Sequence, residues 1–209
     1  MKRRDFLKVT GIGAAGAVTL AAPAIAQSAP ELKWRLTASW PKSLDTLWGG
    51  VEYMSKLVAE ATDIKFQLQT FAAGEIVPGL QVLDAVQNGT VECGHTAPYY
   101  YIGKDPAFAF ATALPFGLNA RQQNAWMYYG GGLEAVAGLF REYGCIQFPT
   151  GNTGAQMGGW YRKEIKTLND LKGLKMRIGG IAGQVLAKLG IVAQQIAGGE
   201  IYQALERGT

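Results

Sequence analysis

From residue 32 onward the apolar positions follow two different rhythms. Residues 32–39 (LKWRLTAS) switch between apolar and polar at nearly every step, which predicts a strand with one buried face. Leu47, Val51, Met54, Leu57, Val58 and Ala61 recur at helical spacing, which predicts an amphipathic helix over 47–62. Alternation returns at 64–70. A second helix is expected over 79–88, with Gly89 as its stop, and then a short strand over 91–96. Strand, helix, strand, helix, strand is the order of a parallel sheet flanked by helices, so the fold class is α/β.

Beyond Pro98 the texture changes. Residues 108–116 are apolar and close at a proline, as a loop or short helix crossing the core would. Residues 133–143 read as a helix, as do 182–189 and 201–207. Strands are expected over 145–150, 159–163 and 174–178. One internal echo stands out. Residues 82–90 (VLDAVQNGT) and 201–209 (IYQALERGT) place apolar residues, an alanine and a terminal Gly-Thr in register. In the first copy Gly89-Thr90 leads into a strand. If two similar α/β lobes are present, the second stops before its next strand, so the chain is expected to be truncated at its C-terminal side.

Residues 1–26 have a different character. Lys2, Arg3 and Arg4 precede an apolar stretch from Val9 to Leu20, and Ala24-Ile25-Ala26 supplies a small-x-small cleavage site. That is a secretory signal, and Arg3-Arg4 followed by Asp5-Phe6-Leu7-Lys8 gives it a twin-arginine form, which directs the product to the periplasm. The apolar run is shorter than the ~20 residues needed to span a bilayer. The leader also explains the charge. The whole chain carries +4, and 1–26 contribute Lys2, Arg3, Arg4 and Lys8 against Asp5, so the remainder carries +1. Nucleic-acid binding thereby loses its electrostatic basis. One histidine and two cysteines exclude multi-cysteine zinc sites and His-rich metal centres. Cys93 and Cys145 could bridge in an oxidising compartment, but each sits in an apolar context and reads better as a buried free thiol.

Few residues could carry chemistry. Cys93 and His95 lie two apart on one strand face, the material of a Cys-His nucleophile, but no orienting third group or strained nucleophile turn accompanies them. Binding has better material. Tyr99, Tyr100 and Tyr101 follow a strand, at the carboxyl edge where open α/β sheets hold ligands. The stretch GNTGAQMGGW at 151–160 offers Asn152 and Gln156 on a glycine-rich backbone. Lys175 and Arg177 share one face of the 174–178 strand. An arginine in a cleft there would present a planar fork to a carboxylate.

These blocks, with FAAGEIVP at 71–78, GHTAPYYY at 94–101 and LKGLKMR at 171–177, resemble solute-binding proteins of TRAP transporters (tripartite ATP-independent periplasmic transporters), closest to the α-keto acid-binding branch. The resemblance implies a periplasmic binding protein-like fold of two α/β lobes with a cleft between them: 1–26 the leader, 27–150 mainly lobe one, and 151–209 the start of an incomplete lobe two. It implies that Arg177 binds a carboxylate and that Gln156 lies beside ligand and metal. It places Tyr99 and Tyr100 on the opposite wall, with Asn152 among the ligand contacts. The expected ligand is a 2-oxo monocarboxylate such as pyruvate, held with a sodium ion and no covalent cofactor. The expected partners are the TRAP membrane permease subunits and, through a further C-terminal region, a second copy in a homodimer. A receptor for a dicarboxylate, lactate or a sugar acid is the first rival, and a periplasmic Cys-His enzyme the second.

Overall fold

The structure is a computed structural model that describes residues 30–209, so the leader at 1–26 lies outside the described residues. Five elements open it: β1 (Leu32–Ala38), α1 (Asp45–Ala61), β2 (Phe66–Phe71), α2 (Val82–Gln87) and β3 (Cys93–His95). The strands form one parallel sheet in the order β2-β1-β3, in register Leu32 with Phe66 and Leu36 with Cys93. β1 is central and is not buried on one face only. Leu36, Thr37, Ala38 and Ser39 are all at most 2% exposed, because a strand between two parallel neighbours is covered on both faces at this end. Its first half is open, with Leu32 and Trp34 exposed.

Local chemistry sets the boundaries. α1 buries Trp48 and Val51 and packs Leu47 and Met54 against the core, while Leu57 faces solvent. The helix ends at Thr62, whose hydroxyl donates to Val58 O at 2.8 Å and accepts from Phe66 N at 3.0 Å. Asp63 and Ile64 then take left-handed φ values of 49° and 65°, so β2 begins at Phe66 rather than at Ile64. Gly89, at φ +69°, closes α2 as expected, and Thr90 N reaches back to Ala85 O at 2.8 Å.

Three-ten turns at Pro98–Tyr101 and Pro106–Ala111 carry the chain into the core, where fully buried Phe108 meets Tyr101, Phe140 and Tyr143 at ring distances of 5.8, 5.2 and 5.1 Å. α3 (Ala120–Tyr129) starts with an Asn119–Gln122 capping box, and α4 (Gly132–Glu142) follows it. The strands expected over 145–150 and 159–163 do not form. Ile146 and Phe148 alternate in sequence but are 76% and 70% exposed, and no described strand lies beside them to take their backbone hydrogen bonds.

The chain then builds a second parallel unit: β4 (Lys175–Arg177), α5 (Gly180–Lys188), β5 (Val192–Gln194) and α6 (Ile201–Glu206). The sequence echo is a structural repeat. β1-α1-β2-α2 corresponds to β4-α5-β5-α6, each with a three-ten turn, Gly79–Gln81 or Gly198–Glu200, before its last helix. The residues entering those turns, Pro78 and Ala197, have φ/ψ of −55°/146° and −59°/147°. Gly89 and Gly208 stop the last helices at φ +69° and +72°. Thr90 N donates to Ala85 O at 2.8 Å as Thr209 N donates to Ala204 O at 2.9 Å.

β3 lies directly on α2. A Cβ added at Gly94 would sit 2.4 Å from Val82 Cγ1 and 3.2 Å from Val86 Cγ2. Gly94→Ala is therefore expected to destabilise the fold by ~1–3 kcal/mol through overpacking, measured by urea denaturation. A change within about 0.5 kcal/mol would contradict this packing.

Candidate functional site

Three turns leave the carboxyl ends of the strands, and their side chains meet. Beyond β1, Ser39 N donates to His95 O at 2.9 Å, and Ser39 Oγ donates to Thr96 Oγ1 at 2.6 Å. Tyr101 OH lies 2.7 Å from Thr96 Oγ1 and accepts from Leu83 N at 3.1 Å. Tyr101 is 2% exposed and ties β1, β3 and α2 together, so its hydroxyl is spent on the fold.

Tyr99 and Tyr100 are placed differently. Their rings pack edge-on at 4.6 Å, and Tyr100 rests against Trp40 at 6.1 Å. Tyr99 lies over the start of α5, where a Cβ on Gly180 would meet its ring at 3.3 Å; Gly180 also has φ +69°. Burial first, and then neighbouring Tyr99, pushes the Tyr100 phenol well above its ordinary pKa, while the Arg177 guanidinium acts in the opposite sense. Arg177 therefore faces this phenol from β4.

The geometry at Arg177 selects which of its donors are available. Nε donates to Ile196 O at 3.0 Å, and none of the ion pairs among the described residues uses this guanidinium. The terminal nitrogens form a planar, charged fork beside the Tyr100 hydroxyl. The adjacent residue, Gln195, donates from Nε2 to Tyr100 O at 2.8 Å. Tyr99, Tyr100 and Arg177, separated by up to 78 positions, thus form one junction. The structure does not bring Asn152 or Gln156 into it. Both are exposed and bonded locally, Asn152 Oδ1 accepting from Gly154 N at 2.7 Å and Gln156 Nε2 donating to Thr153 Oγ1 at 3.0 Å. Sequence reasoning missed Trp40 and Gln195. Their only signal was position, each within two residues of a strand's carboxyl end, and the second of those strands was too short to recognise.

Cys93 and His95 do not form a nucleophile–base pair. Burial, and secondarily Glu92, pushes the Cys93 thiol up to about 11, against thiolate formation, and its Sγ faces Arg35 O at 3.7 Å. His95 Nδ1 accepts from Trp40 Nε1 at 2.6 Å, so the neutral ring carries its proton on Nε2, which donates to Thr150 Oγ1 at 2.9 Å. Both ring nitrogens are occupied. Cys93 and Cys145 are free thiols, the first half-buried and the second buried. A separate shallow groove of about 310 Å³ lies between α1 and β2, lined by Glu52, Ser55, Lys56, Gln67 and Thr70 among others, away from the tyrosine–arginine junction.

Parallel sheets whose strand ends meet at an arginine beside tyrosines define an α/β ligand-binding protein. Residues 37–209 match the DctP family, bacterial extracellular solute-binding protein, family 7, and the chain belongs to that family, the solute-binding proteins of TRAP transporters. A monocarboxylate 2-oxoacid-binding periplasmic protein of Nostoc sp. is 56% identical over 213 residues, spanning 100% of this chain and 58% of that protein. A TRAP transporter solute-binding protein of Bordetella bronchiseptica, a dimer with calcium and picolinate in an active site, is 56% identical with a TM-score of 0.84 over 86% of this chain and 53% of its own. That of Pseudoalteromonas atlantica, with bound sodium and pyruvate, is 45% identical with a TM-score of 0.82 over 85% and 54%. The chain thus spans little more than half the length of these relatives.

Burial lowers the His95 pKa below the ordinary imidazole value of 6.5. As pH falls through 6.5 the unfolded chain takes up a proton that the folded chain refuses, so stability drops and continues to drop until the folded value is reached. The melting temperature is expected to fall from pH ~8 to pH ~5, with a histidine Cε1–H NMR titration midpoint below 6.5. His95→Gln should flatten the part of that slope below 6.5. His95 is the sole histidine, so the NMR resonance has no competitor.

Proposed function

We propose that this protein captures a small 2-oxo monocarboxylate, such as pyruvate, in the periplasm and delivers it to a TRAP membrane permease. The observation that carries the proposal is the Arg177 fork, aimed by Ile196 O, beside Tyr99 and Tyr100, and held in no ion pair with a described carboxylate. A carboxylate ligand would accept two parallel charge-assisted hydrogen bonds from the terminal nitrogens, worth ~1.5–3 kcal/mol each before desolvation. Tyr99 and Tyr100 would cover the ligand, exclude water and offer hydroxyl donors. Support for a 2-oxo acid comes from the Nostoc relative and from the pyruvate complex of the Pseudoalteromonas protein.

A cation is part of this reading. The Pseudoalteromonas protein holds sodium with its pyruvate, and the Colwellia psychrerythraea protein, 42% identical, holds calcium with its own. The described residues contain no cluster of three or more His, Cys, Asp or Glu suited to a metal. The available donor chemistry is amide and carbonyl oxygen, which suits a hard cation. With Nε2 turned to Thr153, the Gln156 amide oxygen is the donor we assign to it, and Asn152 is assigned to the ligand from the same loop. The cation would offset the charge of the carboxylate. Both amides are exposed, so their loop at 151–161 has to fold over the junction for these contacts to form.

The remaining assignments rest on sequence. Arg3-Arg4 and the apolar run behind them support export by the twin-arginine route, and the Bordetella dimer supports pairing of two copies. The raised Cys93 pKa and the saturated His95 ring support binding over catalysis at that pair.

Arg177→Lys is expected to weaken pyruvate binding roughly 10- to 100-fold by titration calorimetry in sodium buffer, since an ammonium cannot reproduce the fork. Unchanged affinity would overturn the Arg177 assignment, and tighter binding of a dicarboxylate or sugar acid by the wild type would redirect the ligand class. Native thiol labelling at neutral pH should leave Cys93 unmodified within the time that an exposed thiol reacts. Rapid modification there would reopen the enzymatic reading.

A further inference from the structure

We infer that Gln195 is a positioning residue: it clips the tyrosine turn to the arginine-bearing sheet and thereby sets how long a bound ligand is retained. This rests on the proposed carboxylate capture at Arg177 and adds a residue that need not touch the ligand. Gln195 and Ile196 are consecutive and hold opposite sides of the junction. The Ile196 carbonyl accepts from Arg177 Nε at 3.0 Å, while the Gln195 amide donates to Tyr100 O at 2.8 Å. One dipeptide therefore fixes both the direction of the fork and the distance of the tyrosine wall from it.

The dipeptide is itself held in register. Arg177 pairs with Gln194 across the parallel β4–β5 ladder, and Ile178 N donates to Gln194 O at 2.9 Å, so residues 195 and 196 start from a fixed strand end. The opposing backbone is cut back to make room. A Cβ on Gly179 would lie 2.5 Å from Gln195 Oε1, and one on Gly180 would lie 3.3 Å from the Tyr99 ring. Two consecutive glycines thus admit both the amide and the phenol. On the far side, the Tyr100 carbonyl belongs to a three-ten turn that is anchored to the three-stranded sheet through its next residue, Tyr101 OH lying 2.7 Å from Thr96 Oγ1, which accepts from Ser39 Oγ at 2.6 Å.

The exposure of Gln195 decides what kind of device this is. Tyr100 is 8% exposed, but Gln195 is a solvent-exposed side chain, so its bond can break without opening the core. A buried amide would lock the two sheets permanently. An exposed one with a net worth near that of a single hydrogen bond gives a reversible clip, and its effect falls on release rather than on encounter.

The test uses the full-length protein and two variants, Gln195→Met, which keeps the bulk without the donor, and Gln195→Ala. Stopped-flow pyruvate binding should show koff raised roughly 3- to 10-fold in both variants, with kon and the ligand-free melting temperature nearly unchanged. Spin labels at Lys56→Cys on α1 and Lys188→Cys on α5, in a Cys93→Ser, Cys145→Ser background, should give a short inter-sheet distance in ligand-free wild type that broadens or lengthens in Gln195→Met. Identical koff values would overturn the inference, as would a loss of melting temperature with kon and koff both altered, which marks a merely structural residue. If the wild type binds no 2-oxo acid, the proposed function fails separately. The ligand-free distances then decide whether Gln195 clips the sheets: a broader or longer distance in Gln195→Met supports it and identical distributions overturn it.

Discussion

The burial of the carboxyl end of β1 is the constraint on which the rest depends. Leu36 to Ser39 are enclosed on both faces and flanked by parallel strands on both edges. Parallel neighbours require crossover helices, and crossover helices bring every strand end out on the same side of the sheet. Trp40, Thr96 and the tyrosines emerge together for that reason. Three hydroxyls, those of Ser39, Thr96 and Tyr101, then bond to one another and to Leu83 N, which satisfies polar groups that this burial would otherwise strand. The walls of the site are consequences of the sheet, and Tyr99 and Tyr100 are left over to face the second sheet.

The second sheet meets this edge through a repeat of the same plan. Because β4-α5-β5 copies β1-α1-β2, its strand ends also carry side chains of the junction, Arg177 on β4 and Gln195 just past β5. Two small sheets built alike thus converge on one junction. The contact between them joins one amide, one guanidinium and two phenols, with Gly198 and Gly199 set close against Leu44 and Pro41. Such a contact is adjustable in a way that the aromatic packing around Phe108 is not.

Much of this was legible in the residues. The five opening elements, Gly89 as a helix stop and the repeat at 201–209 followed from periodicity and turn chemistry, while the placing of Tyr99 and Tyr100 opposite Arg177 came from the family resemblance. What was not legible has a common cause: periodicity reports which face of a segment is apolar, not what lies against it. Residues 145–150 alternate as a strand should and yet have no neighbour to pair with among the described strands. Ile64 is apolar, but its left-handed backbone keeps it out of β2. Gln195 carries no signal in the sequence beyond its position, and only the structure shows its partner, the Tyr100 carbonyl 95 residues away. Asn152 and Gln156 were singled out by composition and resemblance. In the structure they bond only within their own loop, because glycine-rich sequence supplies freedom of approach without fixing where the approach ends.

Charge arrangement separates scaffold from site. The exposed pairs Arg35–Glu92, Lys42–Glu75 and Lys104–Asp84 each join a cation to a carboxylate at 2.6 to 2.7 Å. In the first, the Glu92 carboxyl is held down at about 2 by the Arg35 side chain and backbone N–H. Arg177 is the contrast. It is half-buried beside the Tyr100 phenol, which burial keeps protonated, and the described protein offers it one neutral carbonyl and that hydroxyl. A guanidinium removed from water without a counter-charge is costly, and a carboxylate on Arg177 would lower that cost by closing the site. No carboxylate among the described residues compensates this charge, and under the proposed function an anion arriving from solution would complete it. The same bonds would draw the two sheets together where Gln195 already joins them, so charge compensation and closure become one event.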